Sequence, residues 1–88
     1  MKTRKKEYGL ANLVGKNIEH LRKQRKIKQK DFIARMQTYG CDINPTSYSK
    51  LEGQFRSATD KELLIIAHIL EVSIEELFPS ELRDSLLS

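Results

Sequence analysis

Residues 29–53, QKDFIARMQTYGCDINPTSYSKLEG, set two short helical patterns on either side of a polar bend. In the first, Phe32, Ile33 and Met36 fall at helical spacing and predict the buried face of a helix starting near Gln29, with Lys30, Asp31 and Arg35 outside. Ala34 is small enough to let a neighbouring helix approach. Gly40 suits the positive-φ position that ends such a helix. Asn44 directly before Pro45 then signals a new start, because the Asn side chain accepts from an open amide and proline loses no hydrogen bond at the first helical position. Ile43 and Tyr48 occupy the two positions of a hydrophobic staple. These signals predict a helix over residues 45–52, with Tyr48 and Leu51 inward, Pro45, Thr46, Ser47 and Lys50 outward, and Gly53 at its end.

Upstream, Val14, Ile18 and Leu21 recur at helical spacing and predict a first helix over residues 11–25, with Asn12 as cap and Gly15 weakening its start. Ile27, isolated among basic residues, is expected to tuck into the core. Downstream, Thr59 and Glu62 form a capping box for a fourth helix reaching about Leu70. Its Leu63, Leu64, Ile66, Ala67 and Leu70 cover more than half of its circumference, which predicts a central helix touched from several sides. Ser73 and Glu76 repeat the capping box before a short fifth helix that ends at Pro79. The expected organisation is a basic arm at residues 1–9, one all-α, five-helix domain at 10–79, and a short tail at 80–88 in which Leu82 and Leu86 hint at a weak amphipathic turn.

A chain of 88 residues allows one hydrophobic core and no second catalytic domain. Its charge is uneven. Residues 1–30 hold eleven Lys or Arg against Glu7 and Glu19, and residues 31–88 hold five against ten acids; the resulting +9 and −5 recombine to the net +4. Such asymmetry favours a polyanion on one surface and makes that contact salt-dependent through counterion release. A membrane surface is disfavoured because KNIEHLRKQRK has few large apolar residues opposite its charges. No apolar run approaches a membrane span or a signal peptide, so the cytoplasm is the expected compartment. Cys41 stands alone, with Asp42 beside it to raise its pKa, and reads as a structural thiol.

A helix that reads duplex DNA needs one face buried, so that its axis is held, and another whose side chains reach base edges. The helix over 45–52 offers both. Thr46 and Ser47 can contact a base or phosphate, Lys50 can donate to guanine O6 or N7, and Pro45 offers only an apolar ring for a thymine methyl or a sugar. The helix starts at Gln29 and at Asn44 are candidate phosphate clamps through their free amides.

The pieces VGKNIEHLRKQRKIKQKDFIARM, TSYSKLEG and ELLIIAHILEVSIEELF, in that order across residues 14–78, resemble the repressor and Cro family of helix-turn-helix domains, also called the xenobiotic-response-element family. The resemblance implies a compact lambda-repressor-like domain that acts as a homodimer on an inverted repeat of double-stranded DNA. Carried over residue by residue, it implies an ion pair between Arg22 and Glu52, a phosphate contact at Gln29, DNA contacts at Thr46, Ser47 and Lys50, and a backbone contact at Arg56. The chain departs from the family in TYGCDIN, longer than a tight three- or four-residue turn, and in Pro45, which replaces a polar residue.

The expected function is therefore a DNA-binding transcriptional regulator acting by repression. Activation is the variant reading, with Glu62, Glu71, Glu75 and Glu76 as an acidic side. The alternative class is an antitoxin-like module that binds a toxin and autoregulates their promoter, with Leu82, Leu86 and Leu87 in the interface. RNA is disfavoured by the lack of exposed aromatic interleaving and of GXXG. No enzyme, cofactor or metal is expected: His20 lies on the charged side of helix one, His68 is expected beside the core, and no GxxxxGK loop or nucleophile–base pair is visible.

Overall fold

The computed structural model describes residues 11–87, with side chains described through Leu86. Five α-helices run in order: α1 (Gly15–Gln24), α2 (Gln29–Thr38), α3 (Pro45–Glu52), α4 (Asp60–Leu70) and α5 (Ser80–Leu87), with a 3₁₀ turn at Glu75–Leu77 before the last. The result is a compact all-α globule. The expected arm at residues 1–9 lies outside the described residues.

α3 packs against both α1 and α2, while α4 packs against the same two helices. The core gathers Val14 and Ile18 of the first segment, Phe32, Ile33 and Met36 of α2, Ile43, Tyr48 and Leu51 around α3, and Ile65, Ile66, Ala67 and Leu70 of α4. Leu77 joins it from the 3₁₀ turn, and Ile27 packs against it partly buried. At about 25 cal/mol per Å² of apolar surface, that burial is what holds helices this short together.

Helix starts obey their local chemistry. Asn44 Oδ1 accepts from the Ser47 amide at 2.8 Å with Pro45 in the first turn, and both halves of the Thr59–Glu62 box are made. Ser73 and Glu76 also bond reciprocally, at 2.7 and 3.3 Å. This second box opens a 3₁₀ turn instead of an α-helix, and the α-helix lies in the segment expected to be a tail. Pro79 explains this boundary, since it has no amide to continue the turn and favours the extended backbone seen at Phe78 before it (φ −94°, ψ 151°).

Three helices end within a residue of where the sequence put them, at Gln24, Glu52 and Leu70, but the backbone turn that closes each was not legible. In each of α1 to α4, a residue with left-handed backbone is followed by one whose amide returns to the carbonyl five residues earlier. The left-handed residues are Lys26 (φ 56°), Gly40 (φ 91°), Gln54 (φ 66°) and Glu71 (φ 61°). The returning amides are Ile27 to Arg22, Cys41 to Met36, Phe55 to Lys50 and Val72 to Ala67, at 2.8–3.2 Å. Only one of the four uses glycine, so three of these turns carry a strain of about 1 kcal/mol each that the returning hydrogen bonds offset.

Three burial expectations change. Leu64 is 60% exposed, so α4 is covered on one broad side and open on the other. Ala34 faces solvent, because α4 meets α2 across Phe32, Ile33 and Met36. His68 is exposed and meets the ring of Tyr39 edge-on at 4.9 Å. Among the described residues, no helix is long and apolar enough to cross a membrane.

Candidate functional site

The inner side of α3 is held by a buried polar cluster centred on Glu52. Arg22 of α1 reaches it with Nε at 2.7 Å from Oε2 and Nη2 at 3.2 Å from Oε1, and its Nη1 donates to the Ile27 carbonyl at 2.7 Å. Tyr48, one turn earlier on α3, donates its hydroxyl to Oε2 at 2.5 Å. Gln29, at the start of α2, donates Nε2 to Oε1 at 3.0 Å. Three helices thus converge on one carboxylate whose two oxygens each accept two hydrogen bonds. Burial, then the bond to Glu52, push the Tyr48 phenol far above its ordinary range, so it remains the proton donor.

Where α3 ends, α1 begins against it. Gly15 sits so close that a Cβ there would collide with the Leu51 carbonyl and lie 2.6 Å from that of Glu52. The glycine read as a weak helix start is what allows α1 and α3 to meet. Asn12 completes the junction: Oδ1 accepts from the amides of Val14 and Gly15 at 3.0 and 2.8 Å, while Nδ2 donates to the carbonyls of Leu51 and Arg56 at 3.0 and 2.8 Å. Its role is larger than the expected cap, and it acts two residues ahead of the helix cap at Val14. Gln54 adds a bond from Nε2 to the Asn12 carbonyl at 3.1 Å.

The outer side of α3 is different. Asn44, Pro45, Thr46, Ser49 and Lys50 are exposed and Ser47 is half-buried. Pro45, Thr46, Ser49 and Lys50 line one shallow groove together with Phe55, a residue no local sequence signal singled out. Of the residues read as DNA contacts, the structure brings Pro45, Thr46 and Lys50 into one stripe. Asn44 stands at its N-terminal end with Oδ1 engaged by Ser47.

Two expected contacts are committed elsewhere. Gln29 bridges inward to Glu52 and accepts from Ser49 Oγ at 3.3 Å, linking the outer stripe to the buried cluster. Arg56 is clamped by both Glu62 oxygens, Nη1 to Oε1 at 3.0 Å and Nη2 to Oε2 at 2.9 Å, and bonds the carbonyls of Ser47 and Ser57 at 3.0 and 2.8 Å. The resemblance implies a DNA-backbone contact for Arg56; in the structure its guanidinium ties α3 to the start of α4. Glu62 is correspondingly buried in this bond, which removes it from the acidic side expected of it with Glu71, Glu75 and Glu76. Burial alone would raise the Glu62 carboxyl, but the bonds from Arg56 and Thr59 prevail and hold it below the usual range.

Cys41 is buried at the turn after α2, and burial first, with the charge of Glu62 next, pushes its thiol up; Asp42 contributes least. A second surface feature is a largely apolar groove lined by Leu13, Ile74, Phe78, Leu82 and Leu86 together with Glu75 and Arg83. Among the described residues, no group of three or more His, Cys, Asp or Glu converges. Comparisons with protein-family models, with curated proteins and with solved structures find no match to this chain.

Proposed function

We propose that the protein is a sequence-specific regulator that binds double-stranded DNA through the outer stripe of α3, as a lambda-repressor-like helix-turn-helix domain of the repressor and Cro type. The observation that carries this reading is the two-sidedness of α3. Its inner face is immobilised by Tyr48, Leu51 and the Glu52 cluster, and its outer face presents Thr46, Ser49 and Lys50 in one row. A rigid helix with short donors and acceptors and one cation on its free side suits base edges in a major groove.

In this reading α2 crosses the DNA backbone. The start of α2 has no side-chain cap, so its open amides and the neighbouring Lys28 and Lys30 suit phosphate. Arg56 is then a positioning residue for α3 and not a free phosphate ligand. Repression by occupying a promoter is the simplest mode for a domain of this size. A homodimer on an inverted repeat would set the two α3 helices in successive major grooves about 34–36 Å apart.

A second reading, an antitoxin-like module with a protein partner, is favoured by the apolar groove at Leu13, Ile74, Phe78, Leu82 and Leu86, which is surface a homodimer or a toxin could cover. Selection of a randomised duplex library by the purified protein, quantified at two salt concentrations, tests the first reading. Enrichment of a two-fold-related motif supports it. Uniformly weak, strongly salt-dependent binding would reject it and leave the partner-binding module in front.

A further inference from the structure

Four helices end in the same backbone turn, and in each the residue after the left-handed one is apolar or a thiol: Ile27, Cys41, Phe55 and Val72. That position ordinarily packs back against the helix or the core. Ile27 and Val72 pack against the core, and Cys41 is buried in it. Phe55, the largest of the four, is 74% exposed.

The ring has a defined place despite its exposure. The Phe55 amide is fixed to the Lys50 carbonyl at 2.8 Å, and the ring edge lies over Gly53, where a Cβ would stand 2.7 Å from Cδ2 and Cε2. Gly53 lies four residues beyond Ser49 and eight beyond Pro45, so it continues the outer stripe of α3. The stripe therefore reads, from start to end, an apolar ring at Pro45, the polar and cationic Thr46, Ser49 and Lys50, and an apolar ring at Phe55.

Accepting the DNA reading of that stripe, we infer that Phe55 is a specificity-determining residue that packs on the C5-methyl group of a thymine in the major groove. The methyl is the one apolar group that base edges present there, whereas every other feature is a donor or an acceptor suited to Thr46, Ser49 or Lys50. A phosphate gives an uncharged ring nothing to desolvate, and a sugar, though partly apolar, is the same at every base, so only the methyl makes such a contact depend on sequence. The continuity of the ring with the row of polar readers distinguishes it from Leu64, which is also exposed but lies on α4 beside Tyr39 and His68.

The test uses the operator enriched from the random library, with each thymine replaced in turn by deoxyuridine, which keeps base pairing and removes only the methyl. Wild-type protein is expected to lose about fourfold in affinity at one thymine in each half-site, the effect of one buried methyl-sized group. Phe55→Ala is expected to bind the thymine duplex that much more weakly, to be indifferent to deoxyuridine at that position, and to keep the wild-type salt slope. Gly53→Ala, which displaces the ring without deleting it, is expected to reduce the same discrimination. An operator bound equally well by Phe55→Ala, or a variant that loses thymine and deoxyuridine duplexes in parallel, would overturn the assignment while leaving the DNA reading intact. The absence of any enriched operator overturns the DNA reading and this assignment with it.

Discussion

Two arginine–glutamate pairs brace α3, one from each side, and they differ in burial and in how they could be foreseen. Arg22 and Glu52 join α1 to α3 with side chains 7% and 4% exposed; Arg56 and Glu62 join the loop after α3 to α4 at 23% and 11%. The first pair has Tyr48 and Gln29 as additional donors to its carboxylate, and the second is built into a helix cap through Thr59. An ion pair in the interior is held in place by what its loss would expose, whereas one nearer solvent has water as a substitute.

Removing the cation of the inner pair should therefore have the largest effect. Arg22→Met is expected to destabilise by about 3–5 kcal/mol in chemical denaturation, because Glu52 would remain buried with a charge. A loss below about 1 kcal/mol would mean that Glu52 rehydrates easily and that the α1–α3 junction is not rigid. Gly15→Ala comes next and probes the same junction without touching a charge. Helix propensity alone would make alanine more stable by about 1 kcal/mol. Collision with the Leu51 and Glu52 carbonyls instead predicts a loss of about 1–3 kcal/mol, so the sign of the change decides between them.

For the outer pair, Arg56→Met is expected to lose about 1–2 kcal/mol near neutral pH. The loss should depend on acidity. Glu62 has its carboxyl held below its unfolded value, so its contribution is present above a pH of about 4 and disappears as pH falls through the folded value. The gap between wild type and Arg56→Met should narrow below that point, leaving the part owed to the Arg56 bonds with the Ser47 and Ser57 carbonyls. Glu76 shifts in the same direction through its bonds with Ser73, but it is common to both proteins and cancels in the difference. If Arg56 instead served mainly as a phosphate ligand, the variant would keep its stability and lower the salt slope of DNA binding by about 1. The smallest effect belongs to Lys23, paired with Glu19 at 3.1 Å on the open face of α1. Lys23→Ala is expected to shift stability by about 0.3–0.5 kcal/mol and to lose even that in high salt.

The starts of α2, α3 and α4 and the core faces were readable because their causes lie within four residues, whereas α1, expected from residue 11, starts only at Gly15. The Asn44–Pro45 start, the Thr59–Glu62 box, the positive φ of Gly40 and the buried faces at Phe32, Ile33, Met36, Tyr48 and Leu51 all hold in the structure. The fifth α-helix lies later in the chain than expected because a capping box marks where a turn starts but not how many residues continue it. The helix ends at Gln24, Glu52 and Leu70 were readable too, but the left-handed turns at Lys26, Gln54 and Glu71 beyond them were hidden, because side chains without a strong preference for that backbone occupy them.

By itself the sequence determined an all-α chain, the segments that become α2, α3 and α4, the inner anchors of α3 and the polar row at Thr46 and Lys50, since periodicity and capping act over one or two turns. Tertiary structure alone decided that Gly15 is a contact and not a weakness, that Asn12 ties four backbone groups together, that Arg56 is bound by Glu62, and that Phe55 faces outward. For Gly15 and for Nδ2 of Asn12 the partners lie some forty residues away in the chain, and Arg56 meets Glu62 across the loop between α3 and α4. A side chain's identity limits what it can bond, but the segments brought beside it determine which of those bonds it makes.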